Sequence, residues 1–145
     1  MIRTGELADH DDVRDLRRRS SLSNEGDREL ILANPDTLEY APTPLREGRT
    51  RVAVDGGRIV GFSTTAGDDE LELEALFVEP SAMRTGVGRA LVDDLVANAR
   101  ARGIARINVT ANAHALAFYE ALGFVNDGLI ATRFRDTPRM HLDVV

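Results

Sequence analysis

The chain contains no cysteine, no lysine and no glutamine. Without cysteine there is no disulfide, no thiolate nucleophile and no Cys-ligated zinc. Without lysine there is no Schiff-base chemistry and no nucleotide-binding P-loop of the usual kind. The three histidines, His10, His114 and His141, lie far apart and show none of the short spacings of a helical metal site, so no metal is expected. No run of ~18 apolar residues occurs, and no apolar stretch follows a basic start. A membrane partner is therefore not expected, and the cytoplasm is the default compartment.

What is present is an ordinary amount of core. With 145 residues, 43% hydrophobic and 29% charged, the chain fits a single domain over 1–145. All 18 basic residues are arginine, yet the net charge is −6. That balance argues against nucleic acid as a partner and favours attraction of cations. The tract Arg17-Arg18-Arg19 has acidic neighbours and reads as a solvated helix face.

Residues 2–7 suit a short strand, and Asp9 suits the N-cap of a helix carrying Val13 and Leu16 on one side. A second helix fits Asp27 to Asn34, before Pro35, Pro42 and Pro44 interrupt regular structure. RVAV and RIVGFSTTA flank the hairpin signal Asp55-Gly56-Gly57. In ELELEALFV, Leu71, Leu73, Ala75 and Phe77 share one strand face, with Glu70, Glu72, Glu74, Leu76 and Val78 on the other. After Pro80 and two glycines, Leu91, Val92, Leu95, Val96 and Ala99 recur at helical spacing, with Gly103 as the stop. A strand at Ala105 to Val109, a helix from Asn112 to Leu122 ended by Gly123, and strands near Phe124 to Asp127 and Arg139 to Val144 complete the order. This pattern predicts an α+β (mixed α/β) domain with one central sheet.

The glycine turn PSAMRTGVGRALV carries the chemistry. A helix N-terminus exposes unpartnered N–H groups at the positive end of the helix dipole. Gly86 and Gly88 would let phosphate oxygens approach the backbone, and Arg84 and Arg89 could add charge-assisted hydrogen bonds. A simple tight turn into a helix accounts for the same residues. A dinucleotide fingerprint needs a third glycine where Leu91 stands, which disfavours a nucleotide-dependent oxidoreductase.

Two stretches resemble one family. LFVEPSAMRTGVGRALV is similar to the signature of GNAT-type N-acetyltransferases, and NAHALAFYEALGF, residues 112–124, resembles that superfamily's second signature, in the usual order. The resemblance implies a mixed, mostly antiparallel sheet splayed at the site of acetyl-CoA, the co-substrate. Leu76, Phe77 and Val78 would pair main-chain groups with the pantetheine arm. Arg84, Thr85, Gly86, Val87, Gly88 and Arg89 would hold the pyrophosphate through backbone N–H groups. The family's usual Arg or Gln is Met83 here, with Arg84 one place later; a main-chain contact tolerates that change.

The resemblance also implies roles in acetyl transfer to an amine. Glu72 and Glu74 fall where the family often places the base, although both could simply coat an exposed strand face. Leu76 would donate its N–H to the thioester oxygen. Tyr119 matches the tyrosine that protonates the thiolate, a reading that competes with packing alone, and Phe118 reads as the core residue of that pair. Asn112 is both a helix cap and an implied cofactor contact. The expected acceptor is a small-molecule or peptide amine, with a small cationic amine favoured by the acidic strand. A homodimer is common in the family. The alternative is a non-catalytic acyl-CoA-binding or regulatory module of the same fold, which would not need Glu72, Glu74 and Tyr119.

Overall fold

The computed structural model describes residues 1–144. Seven strands hydrogen-bond in the order β1-β2-β3-β4-β5-β7-β6. They are β1 (Ile2–Thr4), β2 (Thr50–Asp55), β3 (Arg58–Ala66), β4 (Leu71–Val78), β5 (Arg106–Thr110), β6 (Val125–Ala131) and β7 (Asp136–Asp143). The helices are α1 (His10–Leu22), α2 (Glu25–Ala33), α3 (Thr43–Arg46), α4 (Val87–Ala101) and α5 (Leu116–Ala121). The sheet is mixed: β4 and β5 run parallel, while β1–β2, β2–β3, β5–β7 and β6–β7 are antiparallel. The α+β class expected from the pattern is the one observed. No helix among the described residues is long and apolar enough to cross a membrane. The chain forms two compact units, Met1–Thr64 with Ala75–Val92, and Thr65–Glu74 with Asp93–Val145.

In the first unit, alternation along β2 and β3 sends Val52 and Phe62, a cross-strand pair, to the face covered by Val13 and Leu16 of α1. All four are fully buried, and Tyr40, Ala75 and Phe77 pack around them. Burying one such side chain contributes about 1.5–3 kcal/mol, so this cluster is what holds α1 to the sheet. The start of α1 differs in detail from expectation. Asp9 occupies the N-cap position but makes no capping bond to α1. Its carboxylate instead accepts from Glu6 N at 2.8 Å and from Arg3 at 2.8 and 3.1 Å, closing the short 3-10 turn before the helix.

In the second unit, Leu71–Leu73 of β4 lie in register with Ile107–Val109 of β5, so Leu71, Leu73, Ile107 and Val109 share a buried face. The opposite face is polar: Glu72 registers with Asn108, and Asn108 with His141 of β7. Both tail strands are longer than their sequence suggests. The β6–β7 pairing shifts register between Asn126 and Leu129, around Gly128 at φ 106°. This bulge breaks the alternation from which a strand is read. Every residue of β6, the edge strand, is exposed.

Candidate active site

The glycine turn lies wholly in the first unit, between the end of β4 and α4. A single 3-10 turn, Pro80–Ala82, leads to Met83 in extended conformation, and then Arg84 and Gly86 adopt φ of 66° and 92°. Among the described residues Arg84 alone is a non-glycine with positive φ. That conformation costs about 1–2 kcal/mol and persists where the surrounding turn demands it. A Cβ at Gly86 would meet no heavy atom within 4 Å, so glycine is required there by the backbone, and the space over the turn is open. The Gly86 carbonyl accepts the first helical bond, from Ala90 N at 2.9 Å. Val87, Gly88 and Arg89 therefore have N–H groups without an intrahelical acceptor. The Thr85 hydroxyl donates to the Ala82 carbonyl and closes the turn. Gly61 explains the seating of this helix start: a Cβ there would stand 2.8 Å from Val87 Cγ1 and 3.2 Å from the Phe77 carbonyl oxygen.

Two arginines of α1 make contacts in this region, although the tract was expected only to coat a solvated face. Arg19 grips Glu79, the residue between β4 and the turn, with Nε 3.1 Å from each carboxylate oxygen and a terminal nitrogen 2.6 Å from Oε2. Glu79 is 6% exposed, and its own N–H donates to the Val60 carbonyl at 2.8 Å. The hydrogen bonds from Arg19 hold the Glu79 carboxyl below its ordinary pKa. Arg17 places its guanidinium carbon 5.7 Å from the centre of the Phe77 ring, which stacks on Phe62 at 5.5 Å. Arg18 and Arg19 are both exposed, and Arg17 is half-buried.

The second unit holds the other candidates. Glu72 is half-buried, and Arg139 of β7 donates to its two oxygens at 2.6 Å each, with a further 3.0 Å bond from Arg139 to the Thr110 hydroxyl. Glu74, two residues on, is exposed. Tyr119 on α5 is 6% exposed, its ring edge-on to Phe118 at 5.1 Å and to Phe124 at 5.2 Å. Burial pushes its phenol well above the usual tyrosine value. Tyr119 rather than Phe118 is thus the core residue of the pair, because the chain turns at Gly123 and brings Phe124 back against the Tyr119 ring. Asn112 precedes a 3-10 turn, Ala113–Ala115, that separates it from α5, and its side chain makes no capping bond. Its carbonyl accepts from Ala115 N at 2.9 Å instead.

Leu76, Phe77 and Val78 therefore share a unit with Arg84–Arg89, and Glu72, Glu74, Asn112 and Tyr119 share the other. Arg17, Arg19 and Glu79 are the residues that sequence reasoning passed over. A glutamate next to a strand-ending proline, with an arginine-rich amphipathic helix elsewhere, was the available signal.

A strand, glycine turn and helix beside a mixed seven-stranded sheet define the class of fold, and solved structures share it along nearly the whole chain. The PaiA N-acetyltransferase of Thermoplasma acidophilum, in complex with coenzyme A, superposes with TM-score 0.78 at 16% identity, over 99% of this chain and 98% of that one. The ribosomal-protein-S18-alanine N-acetyltransferase of Escherichia coli gives 0.75 at 23% identity, over 99% and 93%. The family model of the acetyltransferase (GNAT) domain matches residues 34–134, and the chain belongs to that family. Among curated proteins, serotonin N-acetyltransferase 2, chloroplastic, of Oryza sativa subsp. japonica is 38% identical over 73 residues, 49% of this chain and 36% of that protein. The [ribosomal protein bS18]-alanine N-acetyltransferase of Escherichia coli K12 is 35% identical over 85 residues, 56% of this chain and 57% of that protein. The match thus spans about half or less of these relatives.

Proposed function

We propose that this chain is a single N-acetyltransferase domain that moves the acetyl group of acetyl-CoA to a primary amine by direct attack in a ternary complex. The observation that carries this reading is the turn at Arg84–Gly86, where two positive-φ residues precede a helix start under open space. Acetyl-CoA supplies the activated acyl group. Backbone N–H groups over Arg84–Arg89 hold its pyrophosphate, and the main chain of Leu76–Val78 pairs with its pantetheine arm. With no cysteine to carry an acyl group, the amine nitrogen bonds directly to the thioester carbon and the C–S bond breaks. The Leu76 N–H donates to the carbonyl oxygen as charge builds there.

The acceptor's ammonium first gives a proton to Glu74, directly or through water, and the neutral amine then attacks. The neighbouring Glu72 already accepts both Arg139 bonds, so Glu72 fixes β4 to β7. Tyr119 serves the departing sulfur first as a hydrogen-bond donor. Its raised pKa keeps the phenol protonated while moving it further from a thiol's ~8.5, so full proton transfer is uphill. The acceptor is a small-molecule or peptide amine, brought as an ammonium by the acidic strand.

The engagement of Glu72 and the burial of Tyr119 also suit the second reading, a non-catalytic acyl-CoA-binding module. A panel of amines with thiol release as readout separates the two. Release with at least one amine supports transfer. A melting point raised by acetyl-CoA but not by NAD or ATP, with no release, supports binding alone. No shift at saturating acetyl-CoA removes both.

A further inference from the structure

Arg17 is a charged group without a countercharge among the described residues. Burial holds its guanidinium below the usual arginine value, against a smaller opposing effect of Tyr40. The remaining contacts are the Phe77 ring and a 3.2 Å bond to the Glu39 carbonyl. No acid of the same helix pairs with it. Asp11 and Asp15 pair with Arg14, and Asp12 and Asp15 line a shallow pocket with Arg19 and Arg58. Glu39 meets Arg17 through its carbonyl alone, and no carboxylate among the described residues lies within ion-pair distance of Arg17.

Desolvating a cation without an anion is costly, and arginines so placed are ordinarily paired. The nearby Arg19 shows the usual solution, a carboxylate held by several bonds. At Arg17 the residue is half-buried, the guanidinium carbon lies 5.7 Å from the centre of an aromatic ring, and one N–H is spent on a carbonyl. A guanidinium in that state is prepared for a bidentate anion, and carboxylate is the shape it matches. Phe77, the ring beneath it, belongs to the strand segment whose main chain is assigned above to the pantetheine arm, so the cation stands beside the path of the acyl donor.

We infer that Arg17, stacked on Phe77 with no carboxylate of its own, receives the carboxylate of the acceptor, and that the acceptor is a small amine carrying a carboxylate, as in a free α-amino acid. This rests on the acetyl-transfer reading above. It narrows the acceptor from any cationic amine to one that also carries a carboxylate, held by Arg17.

The test compares free amino acids with the corresponding amino-acid amides, which keep the amine and side chain but lose the anion. Thiol release is measured with acetyl-CoA saturating. The acids are expected to exceed their amides in kcat/KM by about tenfold or more, the scale of a charge-assisted bidentate pair. In Arg17→Gln that preference collapses to near one, through loss of the acid rate, while the KM for acetyl-CoA and the rate with amides stay within about twofold. Arg17→Lys, which keeps the charge but not the planar fork, restores only part of the preference. Should Arg17→Gln fail to fold, product inhibition of the wild type decides: N-acetyl amino acids must inhibit more tightly than N-acetyl amino-acid amides. Equal use of acids and amides by the wild type overturns the inference while leaving acetyl transfer standing, as does a preference that survives Arg17→Gln. Absence of release with every amine overturns the activity itself.

Discussion

Removing Arg19 and removing Glu79 break the same ion pair but leave different remainders. The Glu79 side chain is 8% exposed and that of Arg19 is 49% exposed. Arg19→Met strands a buried carboxylate, whereas Glu79→Gln strands a half-exposed guanidinium that water can solvate. Breaking a buried pair costs about 3–5 kcal/mol, and an exposed one about 0–1. The exposure of Arg19, and Arg58 standing 4.0 Å from Glu79 as a weak substitute, place Arg19→Met at about 2–3 kcal/mol. Glu79→Gln, which keeps an acceptor oxygen for Arg19, falls near about 1 kcal/mol. At about 3 °C per kcal/mol, the melting points should drop by about 6–9 °C and 3 °C respectively. The pH dependence gives an independent sign. Arg19 lowers the Glu79 carboxyl below its ordinary value of 4.5, so the pair's contribution is complete above that value and lost as pH falls through the lowered one. The gap between wild type and Arg19→Met in urea denaturation should therefore be largest at neutral pH and shrink on acidification. The Asp9 carboxyl, lowered mainly by its bonds from Arg3, titrates equally in both proteins and cancels. A larger cost for Glu79→Gln than for Arg19→Met, or a gap that widens in acid, would refute this account.

Three further substitutions probe the site and the core. Gly86→Leu, forced to φ 92° and filling the open space over the turn, should weaken CoA binding by at least about tenfold, against less than about twofold for Met83→Ala; calorimetry giving the reverse ranking removes the backbone cradle. Tyr119→Phe should slow turnover with little change in acetyl-CoA affinity, and unchanged rates with every accepted amine would end its role as donor to the sulfur. The Tyr40 hydroxyl is buried beside Thr50 and Thr64, whose hydroxyls bond each other at 3.0 Å, and makes no well-formed hydrogen bond itself. Tyr40→Phe should thus be neutral or stabilising by up to about 1 kcal/mol, and a loss larger than that in urea denaturation would mean the phenol does bond the threonines.

The strands legible in advance are those with one buried face. Leu71 and Leu73 alternate with Glu72 and Glu74 because β4 must bury one side, and the pattern was visible without neighbours. The same reasoning placed Leu91, Leu95 and Ala99 on α4 and the hairpin at Gly56-Gly57. It understated β6, where no face is buried and no alternation was required. The placement of Phe118 over Tyr119 failed for a different reason: two adjacent aromatics on a six-residue helix differ by one step of rotation, and the return of Phe124 after Gly123 decides which is enclosed. Of the candidate site, the turn was legible because positive φ selects glycine. The Arg139 partner of Glu72 was not, since nothing local to either residue announces a register between β4, β5 and β7.

The arginine tract was readable in a way its charge concealed. At about 100° per residue, Val13, Leu16 and Ser20, the buried residues of α1, fall within about 60° of one another. Arg17 then lies about 70° to one side of that stripe, Arg19 about 90° to the other, and Arg18 nearly opposite. Three consecutive charges span about 200° of the helix, which brings the outer two alongside the buried stripe. Those flanking the stripe must lay their stems along apolar surface and find a use for the head group. Arg19 finds Glu79 at the entry to the glycine turn; Arg17 finds an aromatic ring and, among the described residues, no carboxylate. Two arginines two residues apart should therefore fail differently, with Arg19→Met lowering stability first and Arg17→Gln changing which amines are accepted.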